Sequence, residues 1–149
     1  MSGGGAPDIH RVRTEAETLG CLPVLRQLRP GLDAATFPGR VRALEEGHGY
    51  LLAALWEDGE ARAVAGFRIA ENLAWGRFLY VDDLVTDAHH RGLGLGGELL
   101  SWLIERAREA GCDEVHLDSG VDRMDAHRFY EGHGLAFASH HFRLRLEAP

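Results

Sequence analysis

Two stretches of the chain place groups capable of chemistry at fixed spacing. The first is Arg91-Gly92-Leu93-Gly94-Leu95-Gly96-Gly97, between an apolar run and an amphipathic segment. Backbone N–H groups at the start of a helix have no internal partners and lie at its positive end, so such a turn can receive an anion, and glycine lets phosphate oxygens approach. The same glycines also serve a plain tight turn. A Walker loop is excluded, because it needs Gly-Lys-Ser/Thr and this region has no Lys. A dinucleotide fingerprint expects an acidic residue about 20 positions on. Asp113 and Asp118 meet that only loosely, and the turn comes late, after three earlier sheet strands. The second feature is the pair Asp82-Asp83. Neighbours on a strand point to opposite faces, so one carboxylate is expected to face any cleft. His116, His133, His140 and His141 are further acid-base groups, since imidazole titrates near neutrality. His140 and His141 diverge on a strand, and Cys21 and Cys112 lack metal spacing, so no metal site is expected.

The elements that must position these groups follow from hydrophobic period and turn signals. Ile9–Arg13 alternates as a half-buried strand. Leu19, Leu22, Leu25 and Leu28 define a helical face over 14–28, with Pro23 expected to break or restart it. A second helix is expected over 33–47, capped by Asp33 and stopped by Gly47. Runs 50–56 and 62–69 flank Glu57-Asp58-Gly59-Glu60, a hairpin signal. Phe78–Val85 is a further strand, and the helix after Gly97 carries Leu99, Leu100, Leu103, Ile104 and Ala107, with Gly111 just past its end. Short strand 115–117, helix 125–131 and a closing hairpin from 135–138 and 141–146 complete a mixed α/β sheet of about seven strands.

With 149 residues the chain is expected to form one domain, 9–146, behind a loose Gly-rich start at 1–8. Sixteen Lys plus Arg against 23 Asp plus Glu give a formal charge of −7, which argues against nucleic acid and hints at a cationic substrate. No run approaches the roughly 20 apolar residues of a membrane helix. Two cysteines without a disulfide framework fit a reducing cytoplasm.

Val81-Asp82-Asp83-Leu84-Val85-Thr86, then Arg91, Gly94 and Gly96, then Phe129-Tyr130-Glu131 with Gly134-Leu135, resembles the GNAT superfamily of N-acetyltransferases, closest in motif to polyamine-type and other small-amine enzymes. Order and spacing agree over 9–146. Leu135 replaces the usual Phe, and an Asn common upstream of the Tyr is Arg123 here.

The resemblance implies a mostly antiparallel sheet splayed into a V between its fourth and fifth strands, where acetyl-CoA would lie. Leu84, Val85 and Thr86 would pair with the pantetheine arm, one strand N–H would polarise the thioester carbonyl, and Arg91, Gly92, Leu93, Gly94, Leu95, Gly96 and Gly97 would hold the pyrophosphate, with Arg123 a further cofactor contact. Leu84 and Val85 also read as strand core. Asp82, with Asp83 and Asp118, would bind the amine or relay its proton, although Asp82 equally reads as a solvated strand residue. Tyr130 would protonate the leaving thiolate, or serve as a packing residue. The implied activity is acetyl transfer to a small, cationic primary amine, by a protein that family habit makes a homodimer. Two other readings remain open: acetylation of protein Lys or N-terminal amines, and a noncatalytic acyl-CoA sensor on the same fold.

Overall fold

A computed structural model describes residues 7–119 and 124–147. The chain divides into two compact units, with the boundary between Leu117 and Asp118.

The first unit is a five-stranded sheet in the order β1 (Asp8–Arg11), β2 (Leu51–Glu57), β3 (Glu60–Asn72), β4 (Gly76–Thr86), β5 (Glu114–Leu117). Its neighbours are antiparallel except β4 and β5, which are parallel. The β2–β3 turn has both central residues at positive φ, Asp58 at 53° and Gly59 at 76°, as the Asp-Gly pair requires. Strand β1 starts at Asp8, inside the segment expected to be loose.

Helices α1 (Glu15–Leu28) and α2 (Phe37–His48) cover one face of the sheet. Thr14 caps α1 by accepting from the Glu17 N–H at 3.1 Å, and the Glu17 carboxylate reaches back to the Thr14 N–H. Pro23 lies inside α1 without ending it. The N–H it lacks would have met the carbonyl of Leu19, and both residues are exposed, so water can take that acceptor. Leu22 and Leu25 are buried as expected, joined by Cys21 and Val24, whereas Leu19 is not. In α2 the N-cap is Thr36 instead of Asp33, whose carbonyl accepts from Thr36 and Phe37 in a preceding turn. The helix runs past Gly47 to Gly49, which takes the left-handed conformation at φ 70°.

Helix α3 (Leu95–Glu109) packs on the other face, with Leu99, Leu100, Leu103 and Ala107 buried. Trp102 meets Phe67 of β3 edge-on. At its end Gly111 adopts φ 73°, and Cys112 and Gly111 donate to the carbonyls of Ala107 and Arg108, a complete Schellman motif.

The second unit contains α4 (Met124–Gly132). The sheet has five strands among the described residues, not about seven: 135–147 has no strand assignment. Phe142, Leu144 and Leu146 keep the alternation of a strand but are exposed. Alternation fixes which side chains share a face; a ladder partner is needed to make the strand, and none is found among the described residues.

Candidate active site

The acidic pair sits at a defect in the sheet. Gly66 of β3 pairs with Asp83, but Phe67 pairs with Val81, so Asp82 is an extra residue on β4. This bulge resets the alternation on which the sequence expectation rested. Both carboxylates act on the face covered by α1 and α2. Arg68 binds Asp82 with two bonds, Nε to one oxygen at 2.8 Å and the terminal nitrogen to the other at 2.9 Å. Asp83 accepts from the Tyr50 hydroxyl at 2.8 Å and from Arg29 Nε at 2.9 Å. Burial and the neighbouring charges of Asp83 and Asp82 push the Tyr50 phenol far above its ordinary pKa, so it is a fixed hydrogen-bond donor. The approach of Tyr50 depends on Gly66: a Cβ there would lie 1.9 Å from the hydroxyl.

Asp83 and Tyr50 form the polar end of a cavity of about 550 Å³ between α1, α2 and the sheet. Leu28, Leu32, Phe37, Val41 and Leu44 supply apolar wall, and Arg29 and Arg40 are the other charged residues lining it. Asp82 is not part of that lining; both its oxygens are occupied by Arg68.

Beyond the pairing of Val81 with Leu117, β5 ends while β4 continues to Thr86, so the β5-facing side of 82–86 has no strand partner among the described residues. Leu84, Val85 and Thr86 pair on their other side with Ala65, Val64 and Ala63, and Val85 is also core, as the strand-core reading of this segment expects.

The chain leaves β4 through Asp87, which accepts from the Gln27 amide at 2.8 Å, while the Gln27 oxygen takes the Ala88 N–H at 2.8 Å. Gln27, followed by His90 at 2.6 Å, holds the Asp87 carboxyl below its usual pKa. A turn of 3-10 helix, Ala88–His90, then leads into exposed Arg91, Gly92, Leu93 and Gly94. Gly92 and Gly94 take φ of 83° and 78°, and the direction of an added Cβ is open space at both. Gly94 is the N-cap and α3 starts at Leu95, not after Gly97. The first intrahelical bond runs from Glu98 to the Gly94 carbonyl, which leaves the N–H groups of Leu95, Gly96 and Gly97 for an anion.

In the second unit Tyr130 lies on α4, its ring 5.3 Å from that of Phe129, and its carbonyl accepts from His133 and Leu135. Asp118 pairs with His141 at 3.4 Å, and His133 Nδ1 is bound to the Phe129 carbonyl. In the first unit His116 is bonded to Glu114 at 2.6 Å and stacked on Trp75. Arg123 lies outside the described residues. No cluster of metal-ligating side chains occurs among the described residues.

A family model for the acetyltransferase (GNAT) family matches residues 16–135. The chain belongs to that family. It is 38% identical over 122 residues to the uncharacterized N-acetyltransferase YhdJ of Bacillus subtilis, covering 81% of this chain and 86% of that protein. It is 40% identical over 63 residues to an aminoalkylphosphonate N-acetyltransferase of Salmonella typhimurium, covering 42% and 40% of the two chains. The fold matches the aminoglycoside N-acetyltransferase AAC(6')-Iy in complex with CoA at a TM-score of 0.85, with 14% identity and 99% of each chain covered. As a GNAT protein it is an acetyl-CoA-dependent N-acetyltransferase.

Among the described residues the chain has open backbone at Gly92 and Gly94, N–H groups without a helical partner at the start of α3, and a stretch of β4 without a partner on its β5 side. Sequence reading missed Tyr50, Arg29, Arg68 and Gln27, which reach the site from distant positions and carry no motif. Gly66 did offer a signal, since glycine inside a strand marks a bulge or a close approach.

Proposed function

We propose that this acetyltransferase transfers the acetyl group of acetyl-CoA to the primary amine of a small molecule held beside Asp83. The supporting observation is the line of features along one element. β4 carries the acidic bulge at 82–83 and the segment 84–86, which has no partner on its β5 side among the described residues, and then leads through the 87–94 turn into the anion-receptive start of α3. Acetyl-CoA supplies an activated thioester. Leu95, Gly96 and Gly97 donate to its pyrophosphate, Arg91 adds positive charge, and the 84–86 backbone aligns the pantetheine arm, with one N–H polarising the carbonyl.

An alkylamine is mostly protonated at neutrality, since its pKa is near 10.4, so it arrives as an ammonium and must lose a proton before attack. Asp83 receives the ammonium and passes the proton to water. Asp82 lies outside the cavity lining, its charge paired with Arg68. The neutral nitrogen then forms its bond to the acetyl carbon as the carbon–sulfur bond breaks, Tyr130 gives its proton to the departing thiolate, and the proton shed by the new amide nitrogen goes to water, from which Tyr130 is reprotonated. The small-molecule assignment is in keeping with the aminoalkylphosphonate enzyme among the relatives. Release of CoA thiol, measured over a panel of small amines, aminoglycosides and peptides, tests it. Turnover with small amines is expected; turnover confined to peptides would replace this reading with protein acetylation, and none at all with a sensor role.

A further inference from the structure

We infer that the acceptor is a monoamine with an apolar body, and that polyamines and aminoglycosides are poor substrates. The inference rests on the function proposed above and specifies its acceptor. A polycation needs several carboxylates, spaced along its length. Among the described residues the cavity at Asp83 has one, already shared with Arg29, and the other charged groups in the lining are the guanidiniums of Arg29 and Arg40. Arg40 has no ion partner among the described residues, so it repels a second ammonium. The rest of the wall is apolar: Leu28, Leu32, Phe37, Val41 and Leu44 surround a volume of about 550 Å³, the size of a small-molecule site. One ammonium at Asp83 beside Tyr50, with hydrocarbon along the leucines, Phe37 and Val41, matches this lining, and Arg40 stays hydrated on the exposed surface of α2. The net charge of −7 favours cations at long range but does not choose between one ammonium and several; the local lining does.

The test is a series of linear amines from propylamine to hexylamine, with 2-phenylethylamine and spermidine, assayed by CoA release on the intact protein. Burial of each methylene is expected to raise kcat/KM by about 4-fold until the cavity is full. Spermidine is expected to fall about 10-fold or more below hexylamine. Leu44→Glu adds a carboxylate to the half-buried wall and should reverse that order, while acetyl-CoA affinity stays within about 2-fold. Leu28→Gln, which adds polarity without charge, should flatten the methylene series without improving spermidine. A flat series in the wild type, or spermidine equal to hexylamine, overturns the inference while leaving acetyl transfer intact. If no amine releases CoA, the catalytic reading has failed, and calorimetric titration of the same amines still decides the cavity's preference: hexylamine must bind more tightly than spermidine.

Discussion

Replacing Gly66 with alanine deletes no contact and adds one methyl group, yet it should disable the acidic pair. The new Cβ would lie 1.9 Å from the Tyr50 hydroxyl, 2.4 Å from Cζ and 2.7 Å from Cε1. All three fall below any real carbon contact, so the ring must withdraw by about 1 Å, which breaks its 2.8 Å bond to Asp83. A hydrogen bond to a charged group contributes about 1.5–3 kcal/mol, and alanine recovers about 0.5–1 kcal/mol of the conformational cost of glycine in a strand. The net loss is about 1–2 kcal/mol, or a fall in Tm of about 3–8 °C for a chain of this size. Asp83 would also lose its orienting donor, so acceptor kcat/KM should fall about 10-fold with acetyl-CoA affinity unchanged. Tyr50→Phe removes the same bond without the clash, and the double substitution should cost less than the sum of the two, because both act on one contact. Gly66→Ala with wild-type Tm and acceptor kinetics, or strict additivity in the double mutant, would refute this chain of reasoning.

Three further predictions concern other parts of the chain. Gly94→Val should weaken acetyl-CoA binding in calorimetry about 10-fold or more while far-UV dichroism stays near wild type. Its left-handed φ of 78° costs a branched residue about 1–2 kcal/mol, and the side chain would fill the open space where we propose the phosphate binds. Tyr130→Phe should cut kcat roughly 10- to 100-fold with little change in Tm; wild-type kcat, with chemistry limiting, would make the residue a packing group. His10 is held above its ordinary value of 6.5, chiefly by the 2.7 Å bond to Glu17, so its contribution to stability is full below that value and fades as pH rises through the folded pKa. Glu17 is held below 4.5, mainly by the Arg13 N–H, so its contribution is full above that value and fades as pH falls through its folded pKa. His10→Gln should therefore lower Tm more at about pH 5.5 than at about pH 9, and an equal loss at both would exclude an ionic role.

The parts of the fold legible in sequence were those set by local chemistry. Asp58-Gly59 dictated a hairpin, the apolar stripe from Leu99 to Ala107 dictated α3, and Gly111 marked its end. The glycine turn was also legible because its requirement is local: positive φ at Gly92 and Gly94 beside a helix start. Errors arose where a distant partner decides. Pro23 stays within α1 because solvent reaches the interrupted bond, and the alternation of 142–146 says nothing about a ladder partner. The bulge at Asp82 was invisible for the same reason: it exists in the register between β3 and β4, and only Gly66 hinted at it. The assignment of Asp83 instead of Asp82 to the cavity follows from that register and from Arg68 and Tyr50, far away in sequence.

The proposed role of Asp83 is tested most directly by the kinetics of Asp83→Asn and Asp82→Asn side by side, with CoA release followed across acceptor concentrations and acetyl-CoA affinity measured separately. Asp83→Asn is expected to raise the acceptor KM about 10-fold or more with acetyl-CoA affinity unchanged, and Asp82→Asn to act more weakly on KM, since its carboxylate faces Arg68 and not the cavity. An Asp83→Asn enzyme with wild-type acceptor KM would contradict the placement of the amine beside Asp83.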